Sequence, residues 1–207
     1  MKKTIFIKTS ALVVAGLIFA GCSQQAPRYV GNDNPEVQKV ISMGLDSQDF
    51  EKAASDAVES LLRSNALNKP NGERYVLAIS RVINDTTHRI DTDLLIKKIR
   101  IAVLNSGKAV VTSAITAGGN DDQLIYDTRD LRADSEFKQD TIAGKGTLLA
   151  PELSLSGKII QQTKTVDKNA LVDYYFQLTL TDLKTGLAIW EDETIVSKVG
   201  DKKSVNW

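Results

Sequence analysis

Val172-Asp173-Tyr174-Tyr175-Phe176-Gln177-Leu178-Thr179-Leu180-Thr181-Asp182-Leu183-Lys184-Thr185-Gly186 is the stretch that decides the fold. Val172, Tyr174, Phe176, Leu178 and Leu180 share one parity, and Asp173, Tyr175, Gln177, Thr179 and Thr181 share the other. A strict two-residue alternation of apolar and polar side chains is that of a half-buried strand. Asp182-Leu183-Lys184-Thr185-Gly186 then turns the chain, with glycine where a positive φ is needed. Residues 187–197 return as the partner strand and carry Trp190. Upstream, Leu153, Leu155 and Ile159 alternate with Ser154, Ser156 and Lys158, so the last third of the chain reads as three strands.

Working back towards the N-terminus, helices enter. Phe50, Ala53, Ala54, Ala57, Val58, Leu61 and Leu62 follow the i, i+3, i+4, i+7 pattern of one helical face. Asp46 or Ser47 can cap that helix, and it ends near Asn65, before Asn68-Lys69-Pro70-Asn71-Gly72. Residues 75–83 read as a strand with Tyr75, Leu77, Ile79 and Ile83 on one face and Val76, Ala78 and Val82 on the other. Apolar residues on both faces place it inside a sheet. A second helix spans about 91–105, with Leu95, Ile99, Ala102 and Val103 on one side and Gly107 as its left-handed stop. Residues 108–113 form a short strand, Gly118-Gly119 opens a loop, and 121–138 reads as a polar third helix. The order α-β-α-β-α-β-β-β makes this an α/β chain of α+β-like character. It is a single domain with a mixed sheet of about four to five strands flanked by helices.

The N-terminus has a different character. Residues 1–8 carry three lysines and no acid, residues 11–20 are almost wholly apolar, and Ala20 and Gly21 are small. These are the parts of a secretory signal, too short in its apolar run for a spanning helix of roughly 20 residues. Cys22, the chain's single cysteine, follows directly. Phe19-Ala20-Gly21-Cys22 resembles the lipobox of bacterial lipoproteins, with Phe19 where leucine is usual. The resemblance implies cleavage before Cys22, an S-diacylglycerol on its thiol and an N-acyl group on its new amine. A plain secretory signal with an incidental cysteine is the other reading. Three acyl chains at about 0.8 kcal/mol per buried methylene attach a protein to a membrane effectively irreversibly. By the same resemblance, Ser23 in place of Asp directs a lipoprotein to the outer membrane.

The expected organisation is therefore a signal over 1–21, a lipidated flexible tether over 22–45 and a globular domain over 46–207. The tether is polar and broken by Pro27 and Pro35. About 25 residues reach at most roughly 80–90 Å when extended. Loss of residues 1–21 removes Lys2, Lys3 and Lys8, leaving 23 basic against 26 acidic residues, a formal charge of −3. A mildly acidic body lacks the basic stripe of a nucleic-acid binder. No cysteine remains for a disulfide within the mature domain.

Chemistry is sparse. His88 is the single histidine, with no second histidine or free thiol to make a metal site or a Cys-His pair. Gly144-Lys145-Gly146-Thr147 lacks the first glycine and the preceding strand of a P-loop. Glu191-Asp192-Glu193 reads as a solvated strand face or cross-strand pairing, and Asn84-Asp85-Thr86 as a turn former. No metal or cofactor and no enzymatic activity are expected.

Four segments together carry a resemblance. They are Thr86-Thr87-His88-Arg89-Ile90-Asp91-Thr92, Leu104-Asn105-Ser106-Gly107-Lys108, Leu155-Ser156-Gly157-Lys158-Ile159, and the run from Tyr174 to Trp190. In that order behind a lipobox, over about 46–198, the chain resembles the LpoB family of outer-membrane lipoproteins that activate penicillin-binding proteins. The resemblance implies a fold related to the N-terminal domain of TolB. It also implies a monomeric domain that docks on a non-catalytic domain of a class A, bifunctional peptidoglycan synthase and favours its active state. The tether here is shorter and poorer in proline than the long Pro-rich leash of well-known members. The family motif supplies no contact residues. Arg81, Asn84, Thr86, Thr87, His88 and Arg89 are proposed as partner-binding because polar loops on a rigid sheet often carry binding. The competing reading of that loop is an ordinary turn. The competing function is a structural or assembly lipoprotein that binds another periplasmic protein.

Overall fold

A computed structural model describes residues 42–116 and 121–201. Helix α1 (Ser47–Arg63) opens on a reciprocal capping box: the Asp46 carboxylate accepts from the amides of Gln48 and Asp49, and the Asp49 carboxylate accepts from the amide of Asp46. Two otherwise unsatisfied N–H groups of the first turn are thereby used, and both negative charges sit at the positive end of the helix. Its buried residues are Phe50, Ala53, Ala54, Ala57, Val58 and Leu61, the apolar face read from the sequence.

Strand β1 (Tyr75–Asp85) leads into helix α2 (Asp93–Ser106) and strand β2 (Ala109–Val111). Gly107 closes α2 with φ 68°, which costs a glycine nothing. Helix α3 (Leu124–Asp130) follows, then the long strands β3 (Leu153–Val166), β4 (Asn169–Asp182) and β5 (Ala188–Asp201). The sheet order is β2-β1-β3-β4-β5. Strand β1 pairs in parallel with β2 and β3, while β3, β4 and β5 form an antiparallel meander. The fold is α+β on one mixed sheet, with β1 internal as its two apolar faces require.

Helix α1 packs on α2 and β5, so one sheet face holds the core. Leu77, Leu153, Leu155, Ile159, Val172, Tyr174 and Leu180 are fully buried there beneath Leu61, Leu95, Ile99 and Val103. Phe50 of α1 meets Phe176 of β4 edge to face, ring centroids 6.0 Å apart.

Three readings are corrected. The alternation of β1 breaks, because Ile79 pairs with Leu155 but Val82 pairs with Gly157, so Ser80 and Arg81 together oppose Ser156. This β-bulge moves Val82 into the core and Ile83, 55% exposed, out of it. The third helix occupies only Leu124–Asp130, with a 3-10 turn (Leu131–Ala133) directly after it and another at Gln139–Thr141. It buries none of its residues, so no packed face extends it to 138. The strands of the meander are also longer than read. β3 runs on past Ile159 through Gln161 and Gln162, where ladder pairing with Asp173 and Tyr174 replaces the missing apolar signal.

Candidate partner-binding surface

The sheet has two ends, and the polar side-chain clusters divide between them. At one end the chain enters the domain. Met43 lies against Gly200, and its carbonyl accepts from the Tyr174 hydroxyl at 2.9 Å. Lys198, buried on the inner face of β5, donates to the Gly44 carbonyl at 2.7 Å and reaches Asp49 at 2.5 Å and Asp46 at 3.3 Å. A buried ammonium needs this many acceptors, since desolvation would otherwise make it costly. Burial and the nearby Asp49 charge push the Tyr174 phenol above its usual range, so it remains a hydrogen-bond donor. The contacts of Met43, Gly44 and Asp46 fasten the entering strap to β4 and β5.

The loop after β1 lies at this same end. The Asn84 side chain accepts from the Thr86 amide and hydroxyl at 3.1 and 2.8 Å and donates to the His88 carbonyl at 2.8 Å. Thr86 Oγ1 also accepts from the His88 amide at 3.2 Å. Thr87 donates from its amide and hydroxyl to Gln161 of β3, at 3.2 and 3.0 Å.

At the other end, residues around Lys69, the start of β3 and the β4–β5 turn converge. Lys69 Nζ bridges to Glu152 at 2.8 Å and sits 5.4 Å from the centre of the Tyr75 ring. The hydrogen bond from Lys69 pulls the Glu152 carboxyl below its ordinary range, and that to Glu152 raises the Lys69 ammonium. Glu152 also accepts from the Val76 amide at 3.3 Å. Asp182 caps the hairpin turn by accepting from the amides of Lys184 and Thr185 at 2.8 and 2.9 Å. Those backbone donors, Thr185 first, hold its carboxyl low. Among the described residues no group of His, Cys, Asp and Glu is placed to hold a metal ion, and no helix is long and apolar enough to cross a membrane.

The family described as peptidoglycan-synthase activator LpoB matches residues 49–196, nearly the whole described domain. The chain belongs to the LpoB family. No curated protein sequence matches it significantly. Solved structures similar to it include the LpoB C-terminal domain from Escherichia coli, at 17% identity with a TM-score of 0.44. That alignment covers 72% of this chain and 99% of the other. The LpoB C-terminal domain from Salmonella enterica gives 17% identity and a TM-score of 0.45, covering 72% and 98%. The NMR structure of E. coli LpoB gives 12% identity and a TM-score of 0.42, covering 92% and 91%.

Within this LpoB-family domain the residues proposed from sequence separate by role. Asn84, Thr86 and the His88 backbone come together, and Thr87 is tied to β3. Their polar groups are spent on shaping the turn. Arg81, in the bulge of β1, and Arg89 are exposed and make no ion pair or hydrogen bond among the described residues. Cys22, the export signal and most of the tether lie outside the described residues, as does Gly118-Gly119. Glu191 and Glu193 accept from Thr179 and Gln177 across the β4–β5 ladder, and Asp192 accepts from Ser60 of α1, so the acidic run is cross-strand and helix pairing. The Lys198 clamp was missed from sequence. Its signal was present, because Lys198 shares the inward parity of Trp190, Thr194 and Val196.

Proposed function

We propose that this chain is a lipoprotein, anchored through acylated Cys22 in the outer membrane, that binds and activates a bifunctional, class A penicillin-binding protein in peptidoglycan synthesis. The observation that carries this reading is the family match over residues 49–196, which falls on the folded domain. The family is one of activators, and the proposed mechanism is non-enzymatic. The domain binds the active conformer of the synthase more tightly than the inactive one, and a typical coupling of about 1–3 kcal/mol between sites suffices. Such a task needs a stable surface on a tether and no nucleophile.

The test is to titrate the purified full chain in detergent micelles against each detergent-solubilised bifunctional synthase of the same envelope. Binding and glycan-polymerisation rate are read together. Saturable binding with a matching rise in rate is expected. Absence of binding to every synthase overturns the activator reading in favour of an assembly lipoprotein. Anchoring is tested separately: Cys22→Ala is expected to release the chain from the membrane fraction, and undiminished retention would overturn the lipid anchor.

A further inference from the structure

The meander has two faces, and the helices use only one of them. Val172, Tyr174, Phe176, Leu178 and Leu180 of β4 enter the core with the buried side chains of α1 and α2. The alternate residues of β4 point the other way, and on that outer face an apolar row crosses three strands. Tyr175 of β4 pairs with Ile160 of β3 on one side and with Ile195 of β5 on the other. Side chains directly opposite on neighbouring strands stand about 4.5–5.5 Å apart, so these three form one continuous strip. Ile160 and Tyr175 are half-buried, Ile195 is 48% exposed, and none of the three belongs to the core cluster.

The adjoining row carries opposite charges on its two flanks. Lys158 of β3 pairs with Gln177 of β4, which pairs with Glu193 of β5. A twofold axis laid along β4, between two copies stacked face to face, places β3 of each over β5 of the other. Lys158 then faces the second copy's Glu193, Ile160 faces Ile195, and Tyr175 meets Tyr175. Asp173 also falls on this axis. Its carboxylate accepts from Ser197 at 2.6 Å and faces Lys164 at 3.7 Å, so its charge is compensated within each copy. Other placements match poorly. An axis between β3 and β4 sets Ile83 over Glu193 and Asp85 over Ile195. An axis across the strands lays Glu191 over Val199 and sends the two entering straps to opposite ends. The axis along β4 keeps both straps at one end, as two chains anchored in one membrane require.

The area is sufficient. Three strands of fourteen residues, about 4.8 Å apart and rising about 3.3 Å per residue, present roughly 650 Å² per copy. The total of about 1,300 Å² lies within the standard range of about 1,200–2,000 Å², and face-to-face stacking is an established way for sheets to pack. We propose that this outer face is a symmetric interface with a second copy of the chain, in place of the monomeric domain that the family resemblance implies. Confinement to one membrane raises the effective concentration of the pair. The inference does not depend on synthase binding and takes from the proposed function only the shared membrane.

The test uses the full acylated chain in membrane vesicles, treated with a short bis-maleimide. The chain without an added cysteine sets the background. Thr179→Cys reports from the outer face on β4, and Leu104→Cys, exposed on α2, is the control away from it. The Thr179→Cys chain is expected to cross-link to itself about fivefold or more above the control, as a specific contact exceeds random encounter. Adding Tyr175→Glu is expected to bring it down to the control. Adding Lys158→Glu or Glu193→Lys alone is expected to lower cross-linking severalfold, through like charges brought face to face. Mixing these two variants is expected to restore it, because each supplies the charge that the other lacks. Restoration also shows that both variants are folded. Equal cross-linking at the two reporters overturns the interface. Loss in both charge variants without restoration on mixing, or no loss in either, overturns the axis along β4.

Discussion

The sheet with its two packed helices and the excursion from β2 to β3 are held together by different physics. In the first, Leu61, Leu77, Leu155, Ile159 and Tyr174 are fully buried, and each strand of the meander is fourteen residues long. In the second, residues 121–152 contain no buried side chain, and Leu124, Phe137 and Leu149 are exposed. The excursion is instead held by side chains bonded to nearby backbone. Arg132 donates twice to the Ala143 carbonyl, and Gln139 donates to the carbonyls of Leu131, Asp134 and Phe137. Tyr126 donates to the Ala114 carbonyl where the excursion begins. Apolar burial supplies the stability of one region, and exposed hydrogen bonds of modest net worth give the other its shape.

The contrast can be broken or sharpened by substitution. The largest effect is expected at Lys198, where Lys198→Ala leaves Asp49 without its ammonium partner and frees the strap at Gly44. Breaking a buried ion pair costs about 3–5 kcal/mol. Denaturant unfolding measures the loss, and a change below about 1 kcal/mol would remove the clamp from the account.

Leu61→Ala is expected to cost about 2–5 kcal/mol through its cavity, against at most about 0.5 kcal/mol for Phe137→Ala in the excursion. Equal costs would show that the excursion has a core of its own. Gly157→Ala comes next. A Cβ there would lie 2.6 Å from Leu178 Cδ2 and 2.7 Å from the Gln177 carbonyl, and the latter is backbone that cannot step aside. About 1–3 kcal/mol is expected, read as a lowered midpoint at unchanged slope.

The smallest effect is titration of the Lys69–Glu152 pair, which joins the excursion's end to the body. The folded Glu152 carboxyl titrates below its ordinary value, so its contribution is complete above the unfolded carboxyl pKa and is lost as pH falls through the folded one. The Lys69 ammonium titrates above its ordinary value, so its share is complete below the unfolded pKa and is lost as pH rises through the folded one. Stability is therefore expected to decline at both limbs and to decline less in Glu152→Gln. An unchanged acid limb in that variant would assign the effect to other carboxylates.

Legibility followed the same division. The packed face of α1, the β4 alternation and the β4–β5 turn could be read directly, because burial on one face writes a period into the side chains. The third helix was read too long because 121–138 buries nothing, and polar residues carry no period from which to set an end. In the proposed binding loop, Asn84 and Thr86 had the right chemistry for a surface contact. Their bonds to one another form the turn that Asn84-Asp85-Thr86 also suggested.

The sequence by itself determined the order of the elements, the helical face of α1 and the internal place of β1, properties carried by local spacing, while the family was legible through the resemblance of four segments taken together. Tertiary structure alone decided the bulge that exchanges Val82 for Ile83 in the core, because a register shift depends on the opposing strand. It also decided which end of the sheet holds the entering strap and which end gathers Lys69, Glu152 and Asp182. Those assignments bring together residues as far apart as Gly44 and Lys198, or Lys69 and Glu152, and no local period encodes such distances.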